Sequence, residues 1–412
     1  MRKKGSFLII LLIAFLVTGN LIGAGILALP IQTGLAGFLP SLVGMVAVAL
    51  AMFSTAVILG EEAIKKKQAV FNYPSLYHQY MGSLGKWIAI AANLLILYGL
   101  LTAYLSGVTD IIAGLFNLPV PKSIVMLMFF IIMTSVVVSG MSIIQKFNAL
   151  FVITMLIAFG IIVFMGSYHI QPQRLSFQKW IFLPAALPVI ITAFHFHNII
   201  PNICHSLDWK ISKVVKTMAV GMIIGYVMNA AWVFVGIGAI PYSGKELSLI
   251  EAFQKNLPAT VPLAELMNSS LFTVVSLIFA LLAIMTSYLA NGLGLFSFIR
   301  DLAQNHLHIK NKFFNLALTF GPPLIVALVY PDIFIKAIDV VGGLGIVTLF
   351  GILPSMIALK RTRTKRAKLF FSVLLTLFSL ILVFEVLQGF GLFKINPEVK
   401  PSKAYPTCNF SW

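Results

Sequence analysis

Long apolar stretches alternate with short polar ones along the whole chain. A bilayer-spanning helix needs about 20 consecutive apolar residues. Eleven stretches meet that length, near 6–33, 38–60, 87–117, 123–142, 148–167, 181–204, 217–241, 266–299, 314–330, 333–359 and 369–390. Two of them are interrupted near their middles, at 18–25 (TGNLIGAG) and 194–201 (FHFHNIIP), 176 residues apart. Lipid cannot hydrogen-bond an unwound backbone, which is tolerated at membrane depth only inside protein or against a cavity. Gly- or Pro-interrupted spans at matching positions of two halves are the best sequence pointer to a transporter's binding site. The pattern therefore predicts a secondary transporter.

Spans one to five and six to ten have comparable lengths, and each set begins with an interrupted span. Five is odd, so the second set must run opposite to the first. This predicts an inverted repeat with its ligand near the bilayer midplane. Repeat one covers about 6–168 and repeat two about 181–359. The extra span 369–390 completes one transporter domain over 1–390, followed by a tail at 391–412. The first stretch is too long for a cleaved signal peptide and lacks a small-residue cleavage site. The polar segment 61–86, with EEAIKKK and FNYPSLYHQYMG, is read as a loop. It lies along the inner surface as an interfacial segment or is simply solvated.

Composition strengthens the membrane reading. The chain is 59% hydrophobic and 10% charged with a mean hydropathy of +0.99, against about 25% charge in soluble domains. The net charge of +17 raises the question of a nucleic-acid partner. With the N-terminus inside, however, 20 of the 29 basic residues fall on the inner side. That imbalance over short loops sets orientation by the positive-inside rule, and eleven spans then leave the C-terminus outside. The run KRTRTKRAK (360–368) has an alternative as an anionic-lipid or nucleic-acid patch; the topological reading is preferred, and membrane lipid is the only macromolecular environment expected. Cys204 and Cys408 are too far apart in the topology to predict a bridge. No cysteine–histidine cluster has metal-ligand spacing, and His306 and His308 have nothing nearby to complete a site. Neither a cofactor, a metal nor an obligate protein partner is expected.

The segments GNLIGAGILALP (19–30), LYGLLTAYLSG (97–107), LPVIITAFHFHNIIPNI (187–203), MTSYLANGLGLFSFIRDL (285–302) and GPPLIVALVYPDIF (321–334) carry a resemblance. In this order, across roughly 1–390, they resemble the aromatic amino acid permeases. Those are the tyrosine- and tryptophan-specific bacterial carriers of the amino acid–polyamine–organocation superfamily. The resemblance implies an all-α membrane protein with a leucine-transporter-type five-plus-five inverted repeat. Helices 1 and 6 would be broken, with one extra helix at the end. It also implies a bacterial cytoplasmic membrane and import of an aromatic amino acid.

In the first break, Gly19, Gly23 and Gly25 let the chain leave helical geometry at low steric cost. The amides of Gly23, Ala24 and Gly25, with Asn20 beside them, would head a half-helix beginning near 25. Free N–H groups and a positive dipole end make a carboxylate site without a charged side chain. The competing reading is close helix packing through the small-xxx-small pair Gly19/Gly23. The second break offers Phe194, His195, Phe196, His197 and Asn198, with Pro201 removing a helix donor. It departs from related permeases, which tend to carry glycine where this chain has His195 and Asn198. Free carbonyls there would accept the substrate's α-ammonium while an aromatic face meets its ring. Intramembrane histidines are functional candidates, against the alternative of a plain hydrogen bond between helices. Tyr98 and Tyr104 are candidate pocket residues, against packing or an interfacial belt. Asp110, Asp339 and Glu385 are candidate buried charges. Asp110 lies near the outer end of its span, where simple solvation is the alternative; Asp339 is the most interesting of the three, with a pair to Lys336 one turn away as an equal alternative.

Three function classes remain open: carrier, channel and membrane-embedded enzyme. A channel would show filter sequences or charged rings rather than paired broken helices, and no nucleophile–base or metal constellation supports an enzyme. A neutral site suits a neutral zwitterion. Tyrosine rests on the resemblance alone, with tryptophan or a broader neutral range as alternatives. The resemblance favours proton coupling. Thr286 and Ser287, with the carbonyls of Gly19, Ile22 and Ala283, instead resemble the sodium site of leucine-type transporters. Back-bonding of the two hydroxyls to the preceding turn is the alternative. Met155 stands where some proton-coupled relatives have a lysine, so His197, with an unperturbed pKa of about 6.5, is the candidate proton carrier.

Overall fold

The computed structural model describes residues 2–392 apart from 24, 68–71, 117–119, 140, 245–246, 307 and 310. At 2–8, 113–116, 141–149 and 305–306 it describes the backbone alone. Ala24, Cys408 and the tail beyond 392 therefore lie outside the described residues, as does the side chain of His306.

Within lipid every amide must find an internal acceptor, so each apolar run becomes a helix. The order is α1 (Arg2–Leu21), α2 (Gly25–Gly34), α3 (Phe38–Lys66), α4 (Tyr73–Phe116), α5 (Lys122–Ser139) and α6 (Met141–Ser167). Then follow α7 (Pro172–Leu175), α8 (Leu183–Ala193), α9 (Ile200–Ser206), α10 (Ile211–Ala239), α11 (Leu249–Gln254), α12 (Thr260–Met267) and α13 (Ser270–His306). The chain finishes with α14 (Lys312–Val329), α15 (Phe334–Val340), a π-helical segment (Val341–Ile352), α16 (Leu353–Arg361) and α17 (Lys365–Gly389). Among the described residues, ten helical segments are long and apolar enough to cross a membrane. The pair Ile9–Leu21 and Gly25–Gly34, bent by 56° at its break, makes an eleventh. The broken spans are the first and the sixth, as predicted: α8 ends at Ala193, and α9 begins at Ile200 after a short 3-10 turn at His197–Ile199.

The helices share one core. α1 packs on α10, α2 on α8 and α10, α4 on α13 and α14, and α13 on α6. α17 packs on the π segment. The tenth span is threaded closely through this bundle. A Cβ on Gly342 would overlap the Pro188 carbonyl of α8, and one on Gly345 would stand 2.6 Å from Ile96 Cγ1.

Segment 61–86 differs from the expected loop. α3 continues to Lys66, and α4 begins at Tyr73 and bends at Gly82, whose φ of 67° suits glycine. Tyr73, Tyr77 and Tyr80 recur at helical spacing on one face. That face turns into the bundle rather than along a surface: Tyr77 is buried and its hydroxyl donates to the Leu349 carbonyl at 2.6 Å. The segment is helical from Tyr73, with its tyrosines turned inward while Ser75, His78, Gln79 and Leu84 stay exposed on the other side.

The ends of α3 and α16 meet at the lysine- and arginine-rich face. There Arg361 bonds Glu61 at 2.8 Å and the buried Glu62 at 2.7 Å. At the opposite face Asp110 is buried, contrary to the solvated reading. Lys122 Nζ pairs with it at 2.8 Å and also with Asp332. A carboxylate can be buried here because a cation on the next helix reaches it.

Candidate functional site

The two breaks meet. A Cβ built on Gly25 would lie 3.4 Å from both Ala193 N and Thr192 Cγ2, so the start of α2 rests on the end of α8. A Cβ on Gly23 would stand 2.9 Å from Ser287 Oγ of α13, whereas Gly19 faces α6, 3.9 Å from Val152 Cγ1. None of these glycines has a positive φ. Only at Gly23 does close approach exclude a side chain; a Cβ on Gly25 or Gly19 would make ordinary contact.

Helical bonding lapses across the first break. The Ile22 amide still donates to Thr18 O at 3.1 Å, and the Ile26 amide to Gly23 O at 3.1 Å. Among the described hydrogen bonds, the amides of Gly23 and Gly25 have no backbone acceptor. They sit at the N-terminus of α2, where unpaired donors and the helix dipole together favour an anion. Gly19, Asn20, Gly23 and Gly25 are half-buried and therefore reachable, whereas Ile22 is buried.

Opposite Gly23, α4 and α13 supply a polar cluster. Tyr104 accepts a hydrogen bond from Asn291 Nδ2 at 3.1 Å, with Ser287 close by. Asn291 Nδ2 also donates to the Ser287 carbonyl at 2.9 Å. Sequence reasoning missed Asn291; its signal was an amide side chain one turn beyond Ser287 in an apolar helix. Tyr98 does not join this cluster, because its hydroxyl donates to Leu318 O of α14 at 2.6 Å. Of the cation-site candidates, Thr286 Oγ1 donates to Leu282 O at 2.7 Å and to Ala283 O at 3.3 Å. Met155 is buried on α6.

The second break is built from large side chains. Phe194, Phe196 and His197 are completely buried, His195 nearly so, and Asn198 is exposed. His197 Nε2 hydrogen-bonds Thr55 Oγ1 of α3 at 3.0 Å, while the Tyr73 hydroxyl donates to the His197 carbonyl at 2.5 Å. The two imidazoles lie nearly parallel, 5.9 Å apart, and each stacks on Phe350 at 5.0 Å. Among the described hydrogen bonds, no backbone amide donates to the carbonyls of Ala193, Phe194 or His195. They remain acceptors beside the donors of the first break.

Asp339 departs from its expected pairing. Gln32 Nε2, on α2, approaches its two carboxylate oxygens at 3.0 and 3.2 Å, and no ammonium or guanidinium lies within 4 Å among the described residues. Glu385 is buried on α17, packed on Gly343. Gln32 was also missed; its signal was an amide within the apolar half-helix GILALPIQTG.

Comparison with known proteins gives a consistent result. Residues 9–393 match the tryptophan/tyrosine permease family. The chain is similar to tyrosine-specific transport system 1 of Haemophilus influenzae, 31% identical over 332 residues that cover 79% of this chain and 82% of the relative. Tyrosine-specific transport system 2 of the same organism is 27% identical over 80% of this chain and 82% of its own length. The low affinity tryptophan permease of Proteus vulgaris is 26% identical over 84% of this chain and 85% of its own.

Proposed function

The chain belongs to the tryptophan/tyrosine permease family, and on that premise we propose that it imports an aromatic amino acid, tyrosine first, by cation symport. It is a multi-pass membrane permease rather than an enzyme. The observation that carries the substrate reading is the contact of the two breaks at Gly25 and Ala193, which sets unpaired donors beside unpaired acceptors. A zwitterion needs that combination. Its carboxylate takes the Gly23 and Gly25 amides, with Tyr104 and Ser287 alongside, and its ammonium takes the carbonyls of Ala193 to His195. The preference for a substrate with a ring rests on the tyrosine- and tryptophan-specific relatives, since the phenylalanine rings of the second break are fully buried. Tyrosine is preferred to tryptophan because the tyrosine-specific relative of Haemophilus influenzae is the more similar of those compared.

Repeats 6–168 and 181–359 would rock about this site, the basic face being cytoplasmic and the membrane a bacterial inner membrane. The proton is the first choice of coupling ion. Thr286 Oγ1 donates to its own helix but keeps its oxygen lone pairs, so sodium remains the alternative ion at that residue.

Counterflow of labelled tyrosine in proteoliposomes tests the carrier reading; conductance would indicate a channel instead. Competition by tryptophan, phenylalanine and leucine tests the substrate, and leucine competing equally with tyrosine overturns the aromatic assignment. Accumulation under an imposed proton gradient without sodium tests the ion. Accumulation only under a sodium gradient overturns proton coupling.

A further inference from the structure

A second polar constellation lies away from the breaks. Asp339 sits in the last turn of α15, immediately before the π-helical segment, among α2, α8, α17 and α4. Its partner is a neutral amide: Gln32 Nε2 meets both carboxylate oxygens and also donates to Ala185 O of α8 at 3.1 Å. One amide group thus ties the half-helix α2 to both α8 and α15. The other end of the same amide, Gln32 Oε1, is buried without a hydrogen-bond partner. Gln32 therefore offers a donor to a carboxylate and a spare buried acceptor to the hydroxyl of a carboxylic acid. Such an arrangement serves both protonation states of one residue, at the cost of an amide rotation.

The surroundings favour alternation between those states. Glu385 interacts electrostatically with Asp339 and packs on Gly343, one turn after it. Lys336, one turn before it on the same helix, is exposed and lines a cavity of about 560 Å³ with Val329, Tyr330, Pro331, Asp332 and Ile333. α8 and the π segment contribute no titratable side chain. On α4, Tyr98 bonds Leu318, Tyr104 bonds Asn291, and Asp110 pairs with Lys122. Among the described residues neither carboxyl group has a cation within ion-pair distance, although Lys336 acts on Glu385 electrostatically from further away; intramembrane acids in such settings act as proton relays. Asp339 is half-buried, one turn beyond Lys336 at the edge of the cavity over the start of α15. π-helical turns, moreover, occur frequently at functional sites.

We propose that Asp339 binds and releases the coupled proton, and that Gln32 transmits its protonation state to the half-helix that holds the substrate carboxylate. The proposal rests on the proton-symport reading above and names the residue responsible. The proton adds to an Asp339 carboxylate oxygen and leaves as a proton later in the cycle, with no other bond made or broken.

The full-length protein in proteoliposomes provides the test. Asp339→Asn is expected to keep tyrosine counterflow, lose accumulation under an imposed proton gradient entirely, and lose the pH dependence of counterflow. Asp339→Glu is expected to restore accumulation. Accumulation by Asp339→Asn equal to that of the unaltered protein overturns the assignment while leaving proton symport intact. Failure of the unaltered protein to accumulate under the proton gradient overturns both. If Asp339→Asn is inert in counterflow as well, unaltered protein decides the matter. Tyrosine binding should then change a protonated-carboxyl band in infrared difference spectra, and the change should persist in Glu385→Gln. No such band, or its loss in Glu385→Gln, overturns the assignment.

Discussion

The two breaks solve one problem with opposite materials. The first is made by leaving side chains out: Gly19, Gly23 and Gly25 are half-buried and expose the backbone. The second is made by crowding side chains in: Phe194, Phe196 and His197 have no exposed surface. A helix can be interrupted by bringing a neighbour so close that only hydrogen fits, as Ser287 does at Gly23. Alternatively, rings and cross-helix hydrogen bonds can hold the unwound chain, as Thr55, Tyr73 and Phe350 do at the second. The first kind yields reachable amides and the second yields acceptors framed by a rigid core. Recognition chemistry and structural support are thus divided between the breaks.

This division can be broken most forcefully at Phe196. Phe196→Ala should cost about 3–5 kcal/mol of stability, the usual range for a buried phenylalanine. Thermal unfolding and membrane yield should fall further than tyrosine affinity; the reverse result would make Phe196 a substrate contact and erase the contrast. At the first break the readouts should exchange places. Gly25→Val should leave yield intact and reduce uptake on the order of a hundredfold, because its methyl groups push α2 off Ala193 and misplace the site. Near-normal uptake would remove the carboxylate site from the proposal.

Gly23→Ala sharpens the same point at a smaller scale. Its methyl group would meet Ser287 Oγ, an overpacking of about 1–3 kcal/mol. Ser287→Ala in the same chain should recover much of the lost transport, and no recovery would indicate that Ser287 itself matters more than the space. Tyr104→Phe should weaken tyrosine binding by about 1 kcal/mol, while Tyr98→Phe should leave it unchanged, as direct binding measurements can show. The smallest effect is expected at Tyr73. Loss of one hydrogen bond to the His197 carbonyl is worth about 0.5–1.5 kcal/mol. Tyr73→Phe should change the rate of counterflow with little change in affinity, and a large affinity loss would place the tyrosine segment in the substrate site.

The first break was legible residue by residue, because three glycines within seven positions of an apolar run are unusual and a half-helix N-terminus needs nothing else. The neighbour was not legible: at Gly23 it is Ser287, on a helix remote in sequence, and none of the three glycines has a positive φ. At the second break the aromatic and histidine residues were visible, but their orientation was not. The same FHFH pattern suits a pocket lining and a buried core, and only the positions of Thr55, Tyr73 and Phe350 distinguish the two.

The number of spans, the position of both interruptions and the extra helix followed from the chain alone. Inside a bilayer each helix satisfies its own backbone, so length and polarity translate directly into spans. The clustering of basic residues where α3 and α16 meet was likewise readable as a pattern along the chain. Tertiary structure alone decided that Tyr104 rather than Tyr98 joins Ser287 and Asn291, that the segment beginning at Tyr73 turns inward, and that Asp339 meets Gln32 instead of Lys336. Each of those outcomes depends on how one helix is rotated against another that is remote in sequence. That rotation is set by the summed packing of the bundle, which no local run of residues encodes.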